Sequence, residues 1–198
     1  NKGYHGTRYL GSHWCSYIAI VWAKTMSEPI KVMIVDDHTL FRQGLRKVLE
    51  SFEEIQVIGE ASDGKEAIVK VDELHPDIVL MDIKMPRMDG FESTRLIRQR
   101  YPELIIIALT MYEDADYVLK MVNAGANGYM HKDASADKLV DAIKQVHEGD
   151  IRFAWFVDPK ILPKEWKEML PRGEKKQSYK LKLVLQEVEP LVGGAPWG

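Results

Sequence analysis

Ile78-Val79-Leu80-Met81-Asp82, residues 78–82, is an apolar run that ends on a carboxylate. A strand with no polar position has no face to offer water, and strands of that kind belong to parallel sheets covered on both sides. The same pattern recurs to either side. Lys31–Val35 (KVMIV) runs into Asp36 and Asp37, and Leu104–Leu109 runs into Thr110. Gln56–Gly59 and Gly128–Met130 are shorter versions.

Between these runs the apolar residues take helical spacing. Leu40, Phe41, Leu45, Val48 and Leu49 predict a helix over Thr39–Ser51, with Thr39 as its N-cap. Asp63-Gly64 leads into a helix carrying Ala67, Ile68, Val71 and Leu74. Further helices are predicted over Gly90–Arg100, Asp114–Asn123 and Ser135–His147. His75-Pro76 and Tyr101-Pro102 stop two of them, because a residue before proline is pushed out of the α region. Five strand–helix alternations between Ile30 and Gly149 predict a doubly wound α/β fold, a five-stranded parallel sheet flanked by five helices.

In such sheets ligands sit at the carboxyl ends of the strands. There the sequence places Asp36 and Asp37 after strand one, Asp82 after strand three, Thr110 after strand four and Lys132 after strand five. Clustered carboxylates raise one another's pKa unless a cation neutralises them. Hard oxygen ligands suit Mg²⁺, which takes a few carboxylates and a phosphate oxygen while keeping waters. Asp82 is then a candidate nucleophile toward phosphorus, with Lys132 and Thr110 as partners for the phosphoryl oxygens.

Taken singly, each residue has an ordinary structural explanation: a solvated acidic turn, a cap, a β-branched strand end, a surface lysine. Their joint placement at four strand ends is what separates them from chance. His38 and His131 flank this edge and are read, with His75 and His147, as solvated histidines.

Composition narrows the classes. Residues 26–150 carry 15 basic against 24 acidic side chains, which argues against a nucleic-acid surface there. The single cysteine, Cys15, excludes an internal disulfide framework. The apolar run from Tyr17 to Ala23 is about a third of the roughly 20 residues a membrane helix needs, so no membrane partner is expected.

The runs I-V-D-D-H-T-L-F-R-Q-G-L (Ile34–Leu45), M-D-I-K-M-P (Met81–Pro86) and A-N-G-Y-M-H-K-D (Ala126–Asp133) resemble the receiver domain of two-component response regulators, in particular the NarL/FixJ (LuxR-type) subfamily. The resemblance covers about three-fifths of the chain. It implies a flavodoxin-like strand order 2-1-3-4-5 and a cytoplasmic phosphoacceptor switch, not a turnover enzyme. It implies Asp82 as the phosphoacceptor, Thr110 as the switch hydroxyl, Tyr129 as the switch aromatic that turns inward, and Lys132 as the phosphate-binding lysine. Mg²⁺ would be held by Asp37, Asp82 and the backbone carbonyl of Lys84, with Asp36 reaching it through water. Met111 is bulkier than the small residue often found after the hydroxyl, which restricts access to the phosphate. The implied partners are a sensor histidine kinase and a second copy of the chain, with DNA only where an output domain is complete. A phosphatase-type hydrolase is disfavoured, since D-x-D-x-[TV] is absent where Asp36-Asp37-His38 stands.

Residues 26–150 are therefore assigned to the receiver. Residues 1–25 lack acids and amphipathic period and are read as an upstream or artificially appended extension, poorly ordered. Residues 151–198 are read as an atypical or truncated segment, not a complete helix-turn-helix domain. Leu162–Leu170 faintly resembles the opening of such a domain, and Lys175, Lys176, Lys180 and Lys182 form a modest basic cluster. Control of transcription and action through protein contacts alone are the two outputs that remain.

Overall fold

The computed structural model describes residues 28–112, 114–149 and 154–156. The expectations for residues 1–25 and for the basic cluster and Leu162–Leu170 lie outside the described residues.

The strands are β1 (Ile30–Val35), β2 (Ile55–Ala61), β3 (Ile78–Asp82), β4 (Ile105–Thr110), β5 (Gly128–His131) and β6 (Ala154–Phe156). The helices are α1 (Thr39–Leu49), α2 (Gly64–Leu74), α3 (Gly90–Arg100), α4 (Ala115–Ala124) and α5 (Ala136–His147). The sheet runs β2-β1-β3-β4-β5-β6, and every neighbouring pair is parallel. The predicted order 2-1-3-4-5 is present. One strand more than the predicted five joins the edge, where Gly128 to Met130 pair with Ala154 to Phe156.

The apolar strands feed two layers because successive side chains leave opposite faces. Val32, Ile34 and Leu80 pack with Leu49 of α1 and Leu139, Ile143 and Val146 of α5. Met33, Val35, Val79 and Met81 pack on the other face with Ala67 and Val71 of α2 and Ile97 of α3. All five residues of β3 are buried, which the opening run required. At roughly 25 cal/mol per Å² of apolar surface removed from water, these two layers supply the main drive for folding.

Two local expectations are corrected. The cap of α1 is His38, not Thr39, and its side chain makes no capping bond. The Asp36 side chain accepts the His38 amide at 2.8 Å, so the chain turns early and Thr39 is already helical. Leu40 and Val48 do not face the core: Leu40 is 85% exposed and Val48 38%. The inward stripe is Phe41, Leu45 and Leu49, four residues apart, which turns Leu40 and Val48 outward.

Helix α2 starts as predicted. Asp63 accepts hydrogen bonds from the Lys65 and Glu66 amides. It ends at His75, whose backbone is left-handed (φ 48) and so outside the right-handed helical region, as the following proline requires.

The loop from β3 to α3 follows Asp82 and is fixed at both ends. Gly90 donates its amide to the Ile83 carbonyl at 2.8 Å, and Gly64 donates to the Met88 carbonyl at 3.1 Å. The Arg87 guanidinium pairs with the buried Asp63 carboxylate. A Cβ on Gly90 would fall far inside contact distance of the Asp82 carbonyl oxygen and 2.9 Å from the Ile83 Cα. Only backbone lies there, so relief requires moving the end of β3. Gly90→Ala is therefore expected to lower the unfolding free energy by about 2 kcal/mol. Urea denaturation followed by circular dichroism measures this, and an unchanged midpoint would show that the loop yields freely.

Candidate functional site

Four strands deliver their last residues to one edge of the sheet. Asp36 follows β1, Asp82 and Thr110 close β3 and β4, and Lys132 follows β5. Asp82 is paired in register with Leu109, so Thr110 stands one step beyond it on the adjacent strand. The Lys132 amide donates to the Thr110 carbonyl at 2.7 Å, which ties the ends of β4 and β5 together.

Lys132 Nζ lies 2.6 Å from Asp36 Oδ2 and 2.8 Å from Asp82 Oδ2. All three side chains are almost wholly removed from solvent, at 5%, 2% and 7% exposure. The other oxygen of Asp82 accepts the Ile83 amide at 2.7 Å. Asp37 is more open, and its buried Oδ1 lies 3.0 Å from His38 Nδ1. Ligand atoms of Asp36, Asp37, His38 and Asp82 all lie within 4.8 Å of one another.

The electrostatics follow from one ammonium among three carboxylates. Burial raises the pKa of Asp82 and the charge of Asp36 adds to that rise, outweighing the hydrogen bond and charge of Lys132. Burial works to lower the pKa of Lys132, but hydrogen bonds and charge from Asp36 and Asp82 prevail and the net shift is upward. A divalent cation fits the remaining excess of negative charge, and Asp37 Oδ1, whose near neighbour is the exposed His38 ring at 3.0 Å, is an available ligand for it.

Thr110 and Tyr129 meet on one peptide segment. The Thr110 side-chain oxygen accepts the Tyr112 amide at 3.1 Å, and the Tyr129 hydroxyl donates to the Tyr112 carbonyl at 2.7 Å. Both side chains are buried, Thr110 at 0% exposure and Tyr129 at 1%. Tyr129 thus already occupies the inward position that the resemblance reserves for the switched state. The Tyr112 ring stacks on Tyr117 at 5.2 Å between centroids, and Lys84 Nζ sits 4.0 Å from the Tyr112 centroid. Met111, expected to crowd the site, is 57% exposed.

Asp36, Asp37, Asp82 and Lys132 bring their side chains together at this edge, Thr110 and Tyr129 bond the adjoining Tyr112 segment, and the side chain of Lys84, named for its backbone carbonyl, turns to the aromatic pair. His38 is largely exposed but lies 3.0 Å from the Asp37 carboxylate. His131 makes its contacts within its own turn, with Asp133. His75 and His147 line an open cleft that also includes Pro76 and Leu104, beside the amino ends of β3 and β4. Sequence reasoning missed Tyr112 and Arg42. Arg42 lies inside the quoted run Ile34–Leu45, six residues past Asp36, and donates to the Asp36 carbonyl at 2.5 Å.

Comparison with known proteins bears on this edge. Residues 32–144 match the model of the response regulator receiver domain. The chain is 36% identical over 152 residues to the transcriptional regulatory protein DegU of Brevibacillus brevis, covering 75% of this chain and 63% of DegU. It therefore spans less than two thirds of that relative. Among solved structures, a LuxR-family two-component response regulator from Aurantimonas sp. SI85-9A1 matches at 38% identity and TM-score 0.59, over 62% of this chain and 87% of its own. The signal receiver domain of NarL from Mycobacterium tuberculosis matches at 29% identity and TM-score 0.60, over 62% and 99%.

The raised pKa of Asp82 makes a stability prediction. A carboxyl whose pKa is higher folded than unfolded contributes stability that is present below the ordinary value of 3.8 and is lost as pH rises through the folded pKa. Asn copies the neutral form at every pH. The unfolding free energy of Asp82→Asn minus that of the wild type should therefore increase as pH rises from below 3.8 and level off once Asp82 is ionised. Urea titrations across that range measure it; a flat difference would show that Asp82 ionises without penalty.

Proposed function

This chain belongs to the response regulator receiver domain family, and from that premise we propose that it is a cytoplasmic phosphoacceptor switch charged on Asp82. The observation that carries the reading is Lys132, whose ammonium spans Asp36 and Asp82 at 2.6 and 2.8 Å beside Asp37.

A carboxylate oxygen of Asp82 attacks phosphorus, and the bond from phosphorus to the donor breaks. The electron pair leaves with the donor, a phosphohistidine nitrogen of a sensor histidine kinase in our reading. Asp36, Asp37, Asp82 and the Lys84 carbonyl are the groups we assign to Mg²⁺. When bound, the ion neutralises the carboxylates and the charge of the incoming phosphoryl group. Lys132 is already within ion-pair distance of Asp82 and would hold one phosphoryl oxygen. Thr110 would hold another through its hydroxyl, since hydroxyl protons rotate to suit the acceptor.

Phosphorylation takes Asp82 from one negative charge to about two and adds strong acceptor oxygens. A swing of the Thr110 side chain toward the phosphoryl group withdraws the acceptor of the Tyr112 amide, so the change leaves the site through Tyr112 and the start of α4. The surface of α4, β5 and α5, residues 112–147, is then the one that partners or a second copy would read. No sustained turnover is involved, and we do not class the chain as an enzyme. Among the described residues no helix is long and apolar enough to cross a membrane.

The output we favour is control of transcription, the role printed in the name of DegU. The second reading, action through protein contacts alone, draws support from β6, which commits residues 154–156 of the C-terminal segment to the receiver sheet. Salt-dependent gel shifts on duplex DNA separate the two.

The phosphoacceptor itself is tested by incubating the full chain with a small phosphodonor and Mg²⁺, then reducing with borohydride. Aspartyl phosphate becomes homoserine, which mass spectrometry maps. Homoserine is expected at position 82, with none in Asp82→Asn or after chelation of the metal. Homoserine at position 36 or 37 instead would assign the nucleophile elsewhere.

A further inference from the structure

Every polar group of Asp36 has a designated neighbour. Its amide donates to the Ala61 carbonyl at 3.0 Å, and its Oδ1 accepts the His38 amide at 2.8 Å. Its Oδ2 faces the Lys132 ammonium, and its carbonyl accepts from Arg42 Nη1. The first three partners come from the sheet, the turn and the site lysine. The fourth comes from a helix that otherwise has no business with the acids.

Arg42 is held in turn. Its side chain is 14% exposed, and its Nε donates to Glu60 Oε2 at 2.9 Å. Glu60 sits on β2 beside Ile34, and its other oxygen accepts from Arg46 Nη1 at 2.9 Å. The hydrogen bond from Arg46, followed by that from Arg42, keeps the Glu60 carboxyl below its usual range despite partial burial. The planar fork of Arg42 therefore spans from a charged anchor on β2 to the first peptide beyond β1.

That peptide is rigid, running from the Asp36 carbonyl to the Asp37 amide. Its rotation sets the direction in which the Asp37 side chain departs, and an Asp37 carboxylate oxygen lies within 4.8 Å of the ligand atoms of Asp36 and Asp82. We propose that Arg42 is a positioning residue: by holding the peptide between Asp36 and Asp37 it keeps the Asp37 carboxylate converged with Asp36 and Asp82 on one divalent cation. The inference rests on the reading that this cluster takes Mg²⁺.

The sign of one measurement separates positioning from simple charge. Removing a positive charge near a cation site strengthens cation binding by Coulomb's law. Removing a group that orients a ligand weakens it, by about tenfold or more. Mg²⁺ dissociation constants of the full chain would be measured by isothermal titration calorimetry for the wild type, Arg42→Gln, Glu60→Ala and the double variant. Thermal melts would establish that each is folded at the titration temperature.

Positioning predicts about tenfold weaker binding in Arg42→Gln, weaker binding in Glu60→Ala, and a double variant no weaker than Arg42→Gln. Charge alone predicts tighter binding in Arg42→Gln, weaker binding in Glu60→Ala, and cancellation in the double variant. If Arg42→Gln fails to fold, Arg42→Lys carries the test. Arg42→Lys keeps the charge but not the fork, so weaker Mg²⁺ binding supports the inference and wild-type Mg²⁺ affinity overturns it. Wild-type chain that binds Mg²⁺ while Arg42→Gln binds it equally or more tightly refutes the positioning role alone. Wild-type chain that binds none refutes the metal reading and the inference with it.

Discussion

The structure depends on an unequal balance of buried charge: one ammonium, Lys132, placed between two carboxylates with a third beside them. Enclosed charges are costly unless paired, and this arrangement leaves the carboxylates in excess. The rise in the Asp82 pKa is the local sign of that excess. A site built this way is held ready for more positive charge and does not relax on its own. Much of the surrounding fold can be understood as what prevents the acids from moving apart.

Two apolar layers do most of that holding. β1 and β3 send alternate side chains into opposite cores, so neither strand can slide or rotate without exposing one of them. The strand ends are therefore rigid, and side chains at those ends inherit the rigidity. The loop after Asp82 is anchored in apolar packing by Ile83 and in part by Met85, and beyond them it depends on specific contacts. Those are the Gly90 amide on the Ile83 carbonyl, the Gly64 amide on the Met88 carbonyl and the Arg87–Asp63 pair.

Tyr112 connects the charged edge to the helices. Its amide is bound by Thr110 and its carbonyl by Tyr129, while its ring stacks on Tyr117 at the start of α4. A displacement of Thr110 cannot be absorbed without altering at least one of these contacts. Because Tyr129 is already inward, its hydrogen bond to Tyr112 exists before any phosphoryl group arrives. In this arrangement the Thr110–Tyr112 bond is the one left to change.

From sequence alone, the apolar runs and their terminal residues determined the parallel sheet, its helices and the edge on which Asp36, Asp37, Asp82, Thr110 and Lys132 lie. That much is legible because burial on both faces leaves a mark on every residue of a strand, and the carboxyl end of each run is then known. Tertiary structure alone decided that Lys132 bridges Asp36 and Asp82, that Leu40 and Val48 face outward, that His38 replaces Thr39 as the cap, and that Arg42 reaches back to the Asp36 carbonyl. These contacts depend on how far one element is rotated and shifted against another. Periodicity within one element carries no record of that rotation, since it is set by packing between segments as distant in the chain as Asp36 and Lys132.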